Sequence, residues 1–160
     1  MKKTILALAL IITSFTFGQI KVIETIPVIR LGSIGQSDIF IQHEGNEFTF
    51  FYKNIENEDA ITSKSFTFKD LNNDFANLHE IIASGFEANP LQDIKLELPK
   101  DYVWLHYSTS LGRNFVQFMS KNIKNESTGV SKAFTIQEIN KLFEKKPDLK
   151  KTDETMSEFK

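Results

Sequence analysis

The chain has 160 residues and a mass of 18.4 kDa, a size that predicts one domain. Its 19 basic and 21 acidic residues give a net charge of −2, and its contents of 25% charged and 41% hydrophobic residues are typical of a soluble globular protein. These values exclude a disordered tail and a membrane-embedded bundle. The chain has no cysteine, which excludes disulfides, thiolate metal sites, a cysteine nucleophile and a lipidated cysteine anchor.

The first 18 residues show the three-part pattern of a secretory signal peptide. Lys2 and Lys3 form a basic start, residues 5–17 are predominantly apolar, and residues 16–18 resemble a cleavage site. A membrane anchor is the alternative, but a spanning helix needs about 20 apolar residues and this run is shorter. We therefore expect cleavage after Gly18, export to the periplasm or the exterior, and no stable membrane insertion after cleavage.

The remaining chain is acidic and contains no dense basic patch. Removal of residues 1–18 leaves 142 residues with 17 basic against 21 acidic side chains, a net charge of −4. Tight binding to nucleic acid or anionic lipid usually needs a basic patch, so no nucleic-acid partner is expected. Lysines and acidic residues are mixed near the C-terminus, and residues 147–160 are interpreted as a polar, solvated tail.

The chain contains an internal repeat. Residues 53–75 and 121–143 align without gaps and share 11 identities in 23 positions, which include charged, amide and aromatic residues. The match extends upstream, so we predict two units of about 29–86 and 94–146 within a single α+β domain, residues 19–146. Both copies begin with Lys-Asn-Ile-x-Asn-Glu. Asparagine is typical of the point where a strand leaves a sheet, and recurrence favours a structural role for this block.

Each copy of the repeat predicts the start of a helix. In the first copy, Thr67 and Asp70 have the spacing of a capping box. In the second copy, Thr135 and Glu138 have the same spacing. Two apolar pairs fit hydrophobic staples around these caps, namely Phe66 with Leu71 and Phe134 with Ile139.

An apolar stripe with spacings of three and four residues predicts an amphipathic helix after the first cap. The stripe consists of Phe68, Leu71, Phe75, Leu78 and Ile82, with Ile81 beside it. Gly85 is the expected left-handed stop of this helix, and Pro90 prevents its continuation. The second helix is shorter and ends before Pro147. Its apolar positions are Ile136, Ile139, Leu142 and Phe143.

Before each helix the hydrophobic pattern alternates, which predicts antiparallel strands. The predicted strands are residues 38–43, 47–53, 94–98, 101–107 and 114–120, with residues 20–31 as an extended edge segment. Gly45 and Gly112 lie in the predicted hairpin turns. The expected fold class is α+β, with duplicated βββα units forming one antiparallel sheet of about six strands, two helices on one face and a groove between the units.

No pattern of catalytic or metal-binding residues is found in the sequence. His43 is expected to be a solvated residue beside a hairpin turn, and His79 lies on the first predicted helix without a second histidine at metal-ligand spacing. The sequence has no nucleophile elbow, zinc-protease motif or phosphate-binding loop. It therefore predicts no catalytic residue, metal ligand or cofactor.

The third histidine belongs to a row of aromatic side chains. In an extended strand Tyr102, Trp104 and His106 project to one face, and Val103, Leu105 and Tyr107 project to the other. An aromatic row on an open sheet face can bind sugar rings, peptides or a protein partner. The other interpretation places this row in the core with Trp104 buried, and we favour it because sheets commonly bury their largest aromatic residue.

These patterns predict an exported, soluble, non-enzymatic binding or interaction protein of the cell envelope or the exterior. Tyr102, Trp104 and His106 are the candidate residues for a protein, peptide or carbohydrate partner. The alternative is a small exported hydrolase in which His106 or His43 acts with a nearby carboxylate, since a dispersed catalytic site leaves no local motif.

Overall fold

The computed structural model describes residues 26–56 and 62–143, and in this part of the chain four strands and a helix are followed by four further strands and a second helix. The strands are β1 (Val28–Ile34), β2 (Ile39–Glu44), β3 (Glu47–Asn54), β4 (Thr62–Lys69), β5 (Ile94–Glu97), β6 (Asp101–Ser110), β7 (Arg113–Asn122) and β8 (Thr128–Phe134). The helices are α1 (Asp74–Ala88) and α2 (Ile136–Phe143).

Some of the predicted features lie outside the described residues. These are the signal peptide of residues 1–18, the polar tail of residues 147–160 and the first part of the extended segment 20–31. Neither α1 nor α2 is long and apolar enough to cross a membrane.

The fold class is α+β, as predicted, but the strands form two sheets of four rather than one sheet of about six. The first sheet has the order β1-β2-β3-β4 and the second β5-β6-β7-β8, and all neighbours are antiparallel. The expectation of three strands per unit was wrong because β4 and β8 were not recognised. β4 reads Thr-Ser-Lys-Ser before Phe66, and its first four residues bury no side chain, so it lacks a full apolar alternation.

The central hairpin of the first sheet follows the predicted pattern. β2 and β3 pair from Ile39 opposite Tyr52 to Glu44 opposite Glu47. Gly45 occupies the turn with a φ of 62°, a left-handed conformation that glycine adopts without steric cost. Phe48, Phe50 and Tyr52 share the buried face of β3, as the alternation predicts.

The two asparagines of the repeated block end equivalent strands. β3 ends at Asn54 and β7 at Asn122, and each side-chain Oδ1 accepts a hydrogen bond from the amide two residues later. The bonds are 3.3 Å from Glu56 and 3.1 Å from Lys124. The prediction that these asparagines mark strand exits is therefore confirmed.

The first predicted capping box is wrong. Thr67 lies inside β4, and its hydroxyl is 3.0 Å from the hydroxyl of Thr49 on the neighbouring strand, so it is not available as a helix cap. The helix starts later, at Asp74, and Asp70 accepts a hydrogen bond from the Phe75 amide at 3.4 Å. The staple is also wrong, because Leu71 is 69% exposed.

The second predicted capping box is confirmed. The Thr135 hydroxyl accepts a hydrogen bond from the Glu138 amide at 3.3 Å, and the Glu138 carboxylate accepts one from the Thr135 amide at 2.8 Å. Phe134 and Ile139, the predicted staple pair, are both buried. Identical residues thus begin a helix in one half of the chain and continue a strand in the other.

Gly85 was predicted to end the first helix, but this prediction is wrong, because Gly85 lies within the helix. α1 continues to Ala88, and Asn89 has the left-handed conformation, with a φ of 42°. Gly85 has another role, since a Cβ atom at this position would lie 2.1 Å from the ring of Tyr107. The missing side chain therefore lets β6 approach α1, and the Tyr107 hydroxyl donates a hydrogen bond to the carbonyl of Ile82 at 2.8 Å.

The core lies between the inner faces of the two sheets and the helices. Aromatic rings dominate it, among them Phe50, Phe66, Phe75, Phe118 and Phe143. The ring of Phe66 on the first sheet lies 6.0 Å from that of Phe118 on the second, so the two sheets share one core. Asn54 also accepts a hydrogen bond from the Val130 amide of β8 at 2.8 Å.

Candidate functional site

Strand β6 turns the predicted aromatic row away from the core. Val103, Leu105 and Tyr107 are buried, whereas Tyr102, Trp104 and His106 lie half-buried on the opposite face of the second sheet. Our preferred interpretation, in which Trp104 is buried, was therefore wrong. Hydrogen bonds at both ends of the buried face of β6 set this orientation. At one end buried Asp101 accepts a hydrogen bond from the Asn122 side chain at 2.9 Å, and at the other the Tyr107 hydroxyl donates one to α1.

The neighbouring strands extend this row into a surface, the outer aromatic face. Tyr102 lies between Glu97 and Lys121, Trp104 between Lys95 and Met119, and His106 opposite Gln117. All of these side chains are at least partly accessible. The surface thus combines large rings with polar and charged groups around them, a composition typical of the energetically important part of binding interfaces.

A lysine lies over the rings of the outer aromatic face. The Lys95 ammonium is 4.0 Å from the ring centroid of Tyr102 and 5.3 Å from that of Trp104. The two rings are 6.1 Å apart and inclined by 56°. Cation–π attraction at these distances favours the arrangement and limits the freedom of all three side chains.

His106 forms a hydrogen bond with a carboxylate at the end of the row. Its Nδ1 is 2.8 Å from the Asp93 carboxylate, with the two side chains 45% and 34% exposed. A carboxylate on Nδ1 orients an imidazole for proton transfer through Nε2, as in serine hydrolases. Within residues 26–56 and 62–143, no hydrogen bond found joins this imidazole to a hydroxyl group.

The other two histidines have structural surroundings. His43 is 6% exposed on the inner face of β2, with its ring 4.4 Å from that of Phe48, so the expectation of a solvated turn residue was wrong. Burial lowers the pKa of the His43 imidazole, and nearby Asp70 partly opposes this effect. His79 Nε2 lies 2.8 Å from the Asn140 side chain and links α1 to α2. Among the described residues, no cluster suitable for a metal ion is found.

The outer face of the first sheet has a related arrangement that the sequence reasoning missed. The rings of Phe40 and Phe51 stack at 4.9 Å, and the Arg30 guanidinium lies 4.0 Å above Phe40. Both phenylalanines are half-buried. The alternation in β3 placed Phe51 opposite the core, and this signal could have identified the pair.

A cleft of about 770 Å³ lies between β4, α1 and β5 and is called here the β4–β5 cleft. Strand residues Thr67–Lys69 and Lys95–Glu97 border it, and Leu71, Leu78 and Ile81 line it from the α1 side. The sequence predicted a groove between the units without identifying its lining residues. One residue in the sequence could have indicated this lining, namely Ile81, an apolar residue beside the buried stripe of the first helix.

The outer aromatic face, the His106–Asp93 pair and the β4–β5 cleft are adjacent, because Asp93 immediately precedes β5 and Lys95 contributes to both the face and the cleft. No family model, no curated protein and no solved structure matches this chain. The functional argument therefore rests on the geometry of these three features.

Proposed function

We propose that this chain is a small exported binding protein that recognises a protein, peptide or carbohydrate partner through its outer aromatic face. The observation that carries the proposal is the outward orientation of Tyr102 and Trp104 with Lys95 above them. Export to the periplasm or the exterior rests on the pattern of residues 1–18.

The physical basis is the large contact area that rigid aromatic rings offer. Tyr and Trp side chains lose few rotamers on binding and bury much apolar surface, so they contribute strongly to interfaces. Here the cation–π contact with Lys95 further restricts Tyr102 and Trp104 before any partner arrives. A preorganised surface of this kind reduces the entropy cost of association.

The chain offers a direct probe because Trp104 is its single tryptophan. We expect binding of a partner to move Trp104 emission to shorter wavelengths and to protect the ring from acrylamide quenching, since the ring leaves water. Partners are to be captured from culture medium and periplasmic extract on immobilised residues 19–160. Replacement of a central interface tryptophan by alanine costs roughly 2 kcal/mol or more, so Trp104→Ala should lose the captured partner.

Phe51→Ala is the matched control, because it removes a half-buried ring from the outer face of the other sheet. Retention of the partner by Phe51→Ala and its loss by Trp104→Ala would support the proposal. Equal capture by both variants, with native circular dichroism spectra, would refute a role for the outer aromatic face.

The second candidate function is a hydrolase, and the His106–Asp93 pair favours it. This pair is two members of a triad, with a hydroxyl nucleophile still required. An ester such as p-nitrophenyl acetate distinguishes the two functions. Turnover that disappears in both His106→Gln and Asp93→Asn would favour hydrolysis, whereas unchanged background rates would favour binding.

We infer that the two sets of four strands and a helix derive from a duplication. Support comes from the 11 identities in 23 aligned positions and from the repeated order of elements. The placement of Arg30 over an aromatic ring of the first sheet and of Lys95 over those of the second is a further likeness. Related chains whose halves are more alike would support this origin, and chains in which the shared positions differ would contradict it.

A further inference from the structure

The β4–β5 cleft is bordered by one edge strand from each of the two sheets. β4 ends the order β1-β2-β3-β4, and β5 begins the order β5-β6-β7-β8. Residues 67–69 of β4 and 95–97 of β5 both line the cleft. An edge strand presents a row of backbone N–H and C=O groups on its unpaired side, which a further strand can use.

The edge of β5 that faces away from β6 has no backbone partner among residues 26–56 and 62–143. Its four residues alternate in orientation. Ile94 and Leu96 pack against the core, whereas Lys95 and Glu97 are exposed towards the outer aromatic face. A strand added here would therefore direct alternate side chains to the two sides of the sheet.

The cleft offers apolar surface for one of these two sets of side chains. Leu71 is 69% exposed and Ile81 39% exposed, and both line the cleft together with Leu78. Leu96 and Leu98 contribute from the β5 side. Exposed leucine and isoleucine side chains grouped in one concavity are typical of a binding site rather than of a solvated surface.

The charged groups around the cleft have both signs. The lining includes as many positive as negative groups, and Glu47 lies opposite Lys69 in the pairing of β3 with β4. The charged lining residues are Lys69, Lys95, Lys100, Glu47, Asp74 and Glu97. Such a border favours neither an anionic nor a cationic headgroup. It complements a ligand whose polar part is uncharged and spread along its length, which is the property of a peptide backbone.

We propose that the β4–β5 cleft binds an extended peptide of alternating apolar and uncharged polar residues, paired in β-fashion with the edge of β5 that faces away from β6. The apolar side chains enter the cleft against Leu71 and Ile81, and the intervening polar ones lie beside Lys95. An acyl chain of similar volume would fill the cleft but leave the backbone groups of β5 unpaired. A peptide satisfies both the edge and the apolar surface.

The test uses fluorescein-labelled peptides of about seven residues, in which threonine alternates with valine, leucine or phenylalanine. Binding to residues 19–160 is followed by fluorescence anisotropy. The double variant Leu71→Ser, Ile81→Ser makes the cleft polar at two exposed positions. Leu111→Ser is its matched control, because Leu111 is a fully exposed leucine in the β6–β7 turn, away from the cleft.

A second set of probes has the same sequences with every backbone amide N-methylated. These peptides keep their side chains but cannot donate hydrogen bonds to an edge strand. The proposal predicts saturable binding of at least one unmodified peptide, weakened about tenfold or more in the double variant and in the methylated probe, and unchanged in Leu111→Ser. Circular dichroism establishes that each variant is folded.

Three results of the binding experiments would overturn the proposal. They are absence of binding by every unmodified peptide, equal binding of methylated and unmodified peptides, and equal binding by the double variant. A concentration-dependent dimer that the double variant abolishes would also overturn it, because a second copy would then occupy the cleft. Trp104→Ala separates this site from the proposed function, since it should lose the captured partner while still binding the peptide.

Discussion

His43 is a buried base whose protonation state depends on the fold. Its ring packs against that of Phe48 on the inner face of the first sheet, with the two ring planes inclined by 32°. Because burial lowers its pKa below the ordinary 6.5, the folded protein holds the neutral form where the unfolded chain accepts a proton. The effect of Asp70 is opposite in sign and smaller.

We expect the free energy of unfolding to fall as the pH drops below 6.5 towards the lower pKa of folded His43. Above 6.5 both states hold a neutral ring, so His43 adds no pH dependence there. Urea unfolding at about pH 7.5 and pH 5.5 measures the effect. His43→Leu should reduce the difference between the two values, and His79→Leu serves as the control. An identical difference in wild type and His43→Leu would show that other groups cause it.

The three aromatic residues of the candidate site could be found in the sequence, but their orientation and their partners Lys95 and Asp93 could not. Alternation placed Tyr102, Trp104 and His106 on one face of a strand, which is correct. The choice between core and surface depends on Asp101 and Tyr107, whose polar groups find partners on β7 and α1 only in the folded chain. Local periodicity contains no information about such distant partners.

Helix starts show how one local pattern gives two structures. Thr135 and Glu138 bond reciprocally at the start of α2. Thr67, at the same position of the repeat, bonds instead to Thr49 across the sheet. The length of the strand pairing decides whether this threonine lies in a strand or caps a helix. Pairing of β3 with β4 continues past Thr67 to Lys69, whereas pairing of β7 with β8 ends at Phe134, before Thr135.

Double-mutant cycles test this difference. Thr135→Ala with Glu138→Ala should show a coupling energy of about 1 kcal/mol in urea unfolding, since the two side chains form one capping box. Thr67→Ala with Asp70→Ala is the matched cycle in the other half, and its coupling should be near zero. Coupling of similar size in both cycles would contradict the assignment of Thr67 to β4.

The sequence predicted both helices, and every strand that it predicted within the described residues is present in the structure. It did not predict β4 and β8, because their polar residues interrupt the hydrophobic alternation, although Phe66 and Phe134 are buried in them. Their strand character comes from pairing with β3 and β7. Tertiary pairing of this kind overrides weak local propensity.

The two sheets are held together by contacts between residues distant in sequence. The Tyr52 hydroxyl lies 2.5 Å from the Ser120 hydroxyl, and both residues are buried. The Lys132 ammonium of β8 is 2.9 Å from the Asp38 carboxylate beside β2. Because the ion pair is exposed and the tyrosine is not, the Tyr52–Ser120 bond should contribute more to the association of the sheets.

Burial also makes the fold sensitive to alkaline pH. It raises the pKa of Tyr52 to about 12, an effect that the bond to Ser120 partly opposes, and it raises the pKa of Tyr107 to about 12. An unfolded tyrosine ionises near pH 10. Since the folded pKa lies above the unfolded one, the stability from both tyrosines is present below pH 10 and is lost as the pH rises through 12.

Tyr52→Phe should therefore reduce the loss of stability between about pH 9 and pH 11, because one of the two buried phenols is removed. Ser120→Ala is the matched variant, since it breaks the same hydrogen bond but keeps the phenol, and it should retain the full pH dependence.

Near pH 8 the double-mutant cycle of Tyr52→Phe and Ser120→Ala should give a coupling energy of about 1 kcal/mol for the bond between the sheets. Urea unfolding followed by circular dichroism measures both quantities. An unchanged pH dependence in Tyr52→Phe would show that burial of this phenol does not cause the loss of stability at alkaline pH. Additive effects of the two substitutions would show that the Tyr52–Ser120 bond does not join the sheets.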